Sequence, residues 1–258
     1  MSWSEPDSVA VNRELWTRSN AEYTDAHAAE AWARDELLWG VWHRPESELR
    51  VLPGDVAGLD VVELGCGTAY VSAWFARHGA RVVGVDPTPA QLETARRLVR
   101  ETGIQLRLVE APAEAVPLPD ESADLVVSEY GASIWADPRL WIPEAARLLR
   151  PGGLLVFLRG STLAQVCGPD VGSVDTRLHR GYAEIGRIDW RHDDGGIEYH
   201  LPPGELIDAL RRSGLEIERL LELLAPPDAE DHPYYDFVKV DWGRRWPAEE
   251  LWVARKRR

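Results

Sequence analysis

From residue 59 onward the chain alternates short apolar runs with amphipathic stretches, and this alternation constrains the fold more than any other feature. Segments 59–64, 81–85, 105–109, 124–128 and 154–158 read as strands. Between them lie helical patterns. In 69–78, Val71, Trp74, Phe75 and His78 recur at i, i+3, i+4 and i+7, and Gly79 stops the helix. Thr88 reads as an N-cap, with Pro89 at the first helical position and Gln91 placed for a capping box; Gly103 ends that helix. A third helix begins at Asp137-Pro138 and runs to Leu149, where Pro151-Gly152-Gly153 makes a turn. Strands separated by helices predict a Rossmann-like, doubly wound α/β fold with a mostly parallel sheet.

The flanks complete this plan. Residues 9–43 read as helical, with Trp32, Leu37, Leu38, Val41 and Trp42 approximating one apolar face. Segment 161–200 has weak periodicity and reads as an insertion over the C-terminal edge of the sheet. A helix over 203–213 and strands over 215–224 and 250–255 bring the sheet to seven strands, the final one antiparallel. The long loop between those strands carries Tyr234, Tyr235, Trp242 and Trp246; it reads as an acceptor-site wall, a surface hairpin or a dimer contact. The expected organisation is one domain: a helical cap at 1–55, a ligand-binding core at 56–160, and the insertion with the rest of the sheet at 161–258.

Charge and composition narrow the partners. A formal net charge of −14 repels phosphate backbones, so no nucleic-acid partner is expected, and the terminal RKRR reads as a solvated end. No apolar run approaches the ~18 residues of a membrane span, so no membrane partner is expected. The opening MSWSEPDSVAVN lacks the basic and apolar regions of a secretory leader. Two cysteines, Cys66 and Cys167, suggest no disulfide framework. A cytoplasmic monomer or homodimer is the expectation.

The loop in VVELGCGTAY, 61–70, specifies the ligand class. Gly65 and Gly67 let backbone approach a ligand, but a dinucleotide fingerprint wants a third glycine where Tyr70 stands. Asp86 ends the second strand, 23 residues after Glu63. Nucleotide folds bind a ribose diol with an acid roughly 20 residues past the loop, and a carboxylate accepts both hydroxyl hydrogens. Four ordered segments, VVELGCGTAY, VVGVDPTPAQLETA, AEAVPLPDESADLVVSEYG and RLLRPGGLLVF, together resemble the class I S-adenosylmethionine-dependent methyltransferases, in the small-molecule, type 11-like group.

The resemblance implies methyl transfer from S-adenosylmethionine to a small-molecule acceptor, leaving S-adenosylhomocysteine. It implies a cofactor site of Tyr23, Glu63, Gly65, Cys66, Gly67, Asp86, Pro87, Thr88, Gln91, Ala113, Glu114, Ser128 and Glu129. Glu63 would lie beneath the methionine portion, and Asp86 would bond the ribose. Ala113 and Glu114 would offer backbone N–H groups to the adenine, with Glu110 as a substitute for the family's acid. Tyr23 would touch the methionine end, with Trp16 or His27 facing the pocket. Cys66 reads as a small loop residue rather than a nucleophile. Glu129 would take a proton from the acceptor, or bind solvent or an ammonium. His192 and His200 are further candidates for a general base. With His179, Asp193 and Asp194 they match no compact metal motif, so no metal is expected. Two other functions stand beside this one: a non-catalytic S-adenosylmethionine-binding sensor or scaffold, which the sequence leaves open, and an NAD-dependent oxidoreductase, against which Tyr70 and the RLLRPGG segment argue.

Overall fold

The computed structural model describes residues 6–258. Its main sheet has seven strands: β1 Asp60–Leu64, β2 Arg81–Asp86, β3 Arg107–Glu110, β4 Ala123–Glu129, β5 Leu149–Gly160, β6 Leu215–Leu223 and β7 Glu249–Lys256. They run in the order β6-β7-β5-β4-β1-β2-β3. Neighbours from β5 to β3 are parallel, and β7 is antiparallel to both β5 and β6. This is the mixed seven-stranded sheet expected from the sequence. Strand order reverses at β1, so a crevice opens between the C-terminal ends of β1 and β4, where such sheets bind ligands.

Consecutive apolar residues make this possible. Val61 packs on one face of β1 and Val62 on the other; Val126 and Val127 divide β4 in the same way. A strand buried on both faces needs such a continuous run. Helices α5 Pro138–Leu148 and α6 Pro203–Arg212 cover one face through Trp141, Ile142, Leu206 and Leu210. Helix α3 Tyr70–Arg77 covers the other through Val71 and Phe75. Beside it, α4 Pro89–Thr102 offers Leu92 and Leu98 to Ala28 and Trp32 of α2 Asp25–Ala33. A π-helical turn, Asn20–Thr24, joins α2 to α1 Asp7–Ser19.

Three local expectations fail for identifiable reasons. The N-terminal helix ends at Ala33, and Leu38–Trp39 pairs with Arg44–Pro45 instead. Gly40 and His43 adopt φ of +70° and +49°, and the N–H groups of Gly40 and Val41 donate to the distant carboxylates of Glu129 and Glu249. No capping box forms at α4. Asp86 takes the Thr88 N–H, while Gln91 reaches Trp16 and Thr24 on the N-terminal helices. Pro151-Gly152-Gly153 lies inside β5 as an irregularity, between the pairings of Leu149 with Ala123 and Leu154 with Leu125.

Candidate active site

The glycine loop is held from below and from the side. Gly65 and Cys66 donate N–H to the Val85 carbonyl at 2.8 and 3.0 Å. The two glycines do different work. At Gly65, φ +73°, a Cβ would sit 2.5 Å from the Ala132 nitrogen and 2.6 Å from Gly131 Cα, so this glycine admits the segment after β4. At Gly67, φ +52°, the nearest atom to a Cβ would be Gln91 Oε1 at 3.7 Å. Gly67 therefore leaves bare backbone facing open space. Ala69 also takes a left-handed conformation, φ 62°, before α3 starts at Tyr70. The indole N–H of Trp32 donates to the Thr68 carbonyl at 2.8 Å and ties α2 to the loop.

Asp86 is fixed by backbone. Gly67 N–H donates to Oδ2 at 2.9 Å and Thr88 N–H to Oδ1 at 2.8 Å. The Thr88 side chain adds a third hydrogen bond to the carboxylate. Burial pushes this carboxyl above its ordinary value, against those bonds. Glu63 is buried beneath the loop and accepts the N–H and hydroxyl of Ser72 at 2.8 and 2.5 Å. Burial, with Glu129 and Asp86 nearby, pushes Glu63 up to about 8 despite those bonds. It therefore carries its proton at neutral pH while no cation is beside it.

Glu129 ends β4. Its Oε1 accepts the Gly40 N–H at 3.0 Å and its Oε2 accepts the Tyr70 hydroxyl. Behind it, Tyr130 takes φ +52° and donates its hydroxyl to Glu249 Oε1 at 2.5 Å, where Val41 N–H also donates at 2.7 Å. Burial raises Glu129, and raises Glu249 to about 8. Tyr70 and Glu249 thus position Glu129 and Tyr130. Neither role was assigned from sequence, although acids opening the apolar run EELWVA were a readable signal for Glu249.

These groups line a cavity of ≈ 990 Å³, at the upper end of the ~300–1,000 Å³ range of ligand sites. Of the expected site residues, Tyr23, Glu63, Gly65, Cys66, Gly67, Asp86, Pro87, Thr88, Gln91, Ala113, Glu114 and Glu129 are on its wall, as are Trp16 and His27. Cys66 is buried, and desolvation beside Asp86 and Glu63 keeps its thiol protonated.

Three expected residues lie off the wall. Ser128 sits beneath the floor, donating to the Leu64 carbonyl and accepting the Ser133 N–H. His192 is exposed on a short 3-10 turn. His200 is 0% exposed, and its Nε2 meets Glu198 Oε2 at 2.8 Å; Glu198, not His200, faces the cavity. Neither histidine is therefore placed to take a proton from a ligand. Glu110 is exposed and away from the wall as well. Among the described residues, no group of three or more His, Cys, Asp or Glu side chains is arranged to hold a metal ion. No helix among them is long and apolar enough to cross a membrane.

The roof joins distant parts of the chain. Tyr23 stacks on His27 (ring centroids 4.0 Å apart) and on Tyr234 (4.4 Å). Tyr234 also donates to Glu22 at 3.1 Å. His232, Tyr234 and Tyr235 belong to the loop before β7, which crosses the cavity as a strap. Trp242 and Trp246, from the same loop, instead pack with Trp42 in a separate cluster.

The family model "Methyltransferase domain" matches residues 62–157. A ubiquinone biosynthesis O-methyltransferase of Methylobacterium is 30% identical over 165 residues, 64% of this chain and 63% of that protein. An uncharacterized methyltransferase of Mycobacterium tuberculosis is 40% identical over 111 residues, 43% of each chain. The chain thus spans less than two thirds of the length of these relatives. The crystal structure of an S-adenosylmethionine-dependent methyltransferase from Mesorhizobium loti superposes with a TM-score of 0.65 at 26% identity, covering 81% of this chain and 96% of that one. Strand order, glycine loop and matched domain are those of the class I S-adenosylmethionine-dependent methyltransferases. The match of residues 62–157 is to the type 11 group of that class.

Proposed function

We propose that this protein transfers the methyl group of S-adenosylmethionine to a small-molecule acceptor in the cytoplasm. One observation carries the reading: at the switch point of the sheet, a single cavity joins the Asp86 carboxylate, the bare backbone of Gly67, the buried acid Glu63 and the half-buried acid Glu129. The Asp86 carboxylate, an acceptor of several hydrogen bonds, suits a ribose diol. Ala113 and Glu114, which share the wall with Pro87 and Thr88, suit the adenine; Gln91 braces the wall through Trp16. Glu63 and Tyr23 suit the methionine end. The unpaired, buried Cys66 and Cys167 suit a reducing compartment.

When bound, S-adenosylmethionine supplies an electrophilic methyl carbon on a sulfonium. The protein's contribution is alignment of nucleophile, carbon and sulfur, which is worth several kcal/mol, and exclusion of water. Glu129, held at both oxygens, stands where cofactor and acceptor would meet and can take a proton from the acceptor. Aromatic side chains of the roof add cation–π attraction of about 0.5–2 kcal/mol to a cation within reach.

Calorimetric titration with S-adenosylmethionine, S-adenosylhomocysteine and NAD tests this. Micromolar binding of the first two without NAD is expected, and NAD binding alone sinks the reading. A cation beside Glu63 would return it from a value of about 8 toward the ordinary range, so binding at pH 7 should release a proton. Titration in two buffers of different ionisation enthalpy measures that release. Formation of S-adenosylhomocysteine with an acceptor separates an enzyme from a sensor.

A further inference from the structure

The cavity extends well past the glycine loop, toward the insertion and the strap. Carboxylates line it throughout, and Arg34 is the sole Arg or Lys among the described lining residues. Arg34 follows α2, on the N-terminal side of the cavity. Its charge reaches Glu129, from β4; Glu198, from the insertion, lines the same cavity. Tyr130 feels the negative charge of both. Glu198 is also held in place. Burial keeps His200 neutral, and its Nε2 is left to donate to Glu198 Oε2 at 2.8 Å. Tyr130, Trp135, Trp190, Tyr235 and Phe237 give the same cavity an aromatic lining. The insertion already shows the chemistry such rings favour. The Arg180 guanidinium lies 4.4 Å from the Trp190 ring centroid, with Asp170 as its counter-ion at 2.8 Å.

Acid pairs and aromatic rings select the same kind of ligand by different physics, one through charge and the other through the ring quadrupole. Resting on the methyl-transfer reading, we propose that the acceptor is a small amphipathic amine. Its basic nitrogen is held between Glu129 and Glu198, and its apolar body lies against the aromatic wall. Carboxylates outnumber the one guanidinium of the described lining, so an anionic acceptor would meet net repulsion. The step balances without a further reagent. The bound ammonium gives one proton to Glu129, and the freed nitrogen lone pair forms the N–CH3 bond. The S–CH3 bond breaks, its electron pair stays on sulfur, and the thioether leaves neutral. His200 is a positioning residue for Glu198 and touches no reacting atom.

Tryptamine, tryptophol and indole-3-propionate share one ring and differ in the head group: ammonium, hydroxyl and carboxylate. Their affinities for the full chain saturated with S-adenosylhomocysteine test the proposal. Tryptamine should bind about tenfold more tightly than tryptophol, with indole-3-propionate weakest. Glu198→Gln should erase the preference while S-adenosylhomocysteine affinity stays the same. Equal affinities, or a preference for the alcohol or the acid, overturn the amine assignment and leave the cofactor reading standing. Failure of S-adenosylhomocysteine to bind overturns both.

Discussion

The two ends of the cavity are built on different principles. At the loop end, polar groups are fixed by nearby backbone: Asp86 by Gly67 and Thr88, and Glu63 by Ser72. At the strap end, position depends on side chains that meet from far along the sequence. Tyr23 meets Tyr234, and Tyr130 meets Glu249. The first construction holds a constant ligand in a rigid frame. The second can change its occupant through a few side chains while the sheet stays as it is.

Substitutions can break or sharpen this contrast. The largest effect should come from Gly65→Ala, which combines a backbone clash with a left-handed φ and should cost about 3–5 kcal/mol of unfolding free energy. Gly67→Ala meets no clash and should cost about 1 kcal/mol. Urea denaturation of the pair decides it; equal costs would show that the two glycines are not distinct.

Next is Glu249. Its folded pKa is raised to about 8 from an ordinary 4.5, so the folded chain binds the extra proton. That contribution is fully present below about pH 4.5 and is lost as pH rises toward 8. Glu249→Gln keeps the acceptor for Tyr130 and Val41 and removes the titration. It should match the parent at pH 5 and exceed it by about 2–4 kcal/mol at pH 8. A pH-independent difference in stability curves would contradict the assignment.

Asp86→Ala should weaken S-adenosylmethionine binding by about 1–3 kcal/mol, read by calorimetry. Unchanged affinity would remove Asp86 from the site. Tyr234→Ala is the smallest change. Losing its stack on Tyr23 should cost about 0.5–1.5 kcal/mol in stability and speed release of S-adenosylhomocysteine in stopped flow. An unaltered off-rate would mean that the strap does not retain the ligand.

The loop end was legible because its determinants are local. Strand periodicity, Gly65, Gly67 and the spacing from Glu63 to Asp86 place the crevice without knowledge of distant contacts. The strap end was not. The segment through Leu37 and Trp42 has helical periodicity, yet Gly40 and Val41 are drawn away by acids 89 and 208 positions distant. The histidines of the insertion carried the same weakness. Residue type made His192 and His200 candidate bases, but only the folded insertion shows one in solvent and the other behind Glu198. His43 and His232, both on the wall, have no local signal in the sequence. The position of Gly65 was readable and its reason was not, because its crowding partner follows a different strand.

The contact between Glu22 and Tyr234 spans 212 positions of the chain. Closing so long a loop carries an entropy cost that only late contacts repay, so the roof should form after the sheet during folding. The order has a mirror image in the native state. Regions held by few long-range contacts open at lower free energy than the core. Parting the Tyr23–Tyr234 stack should therefore open this side of the cavity while every strand stays paired.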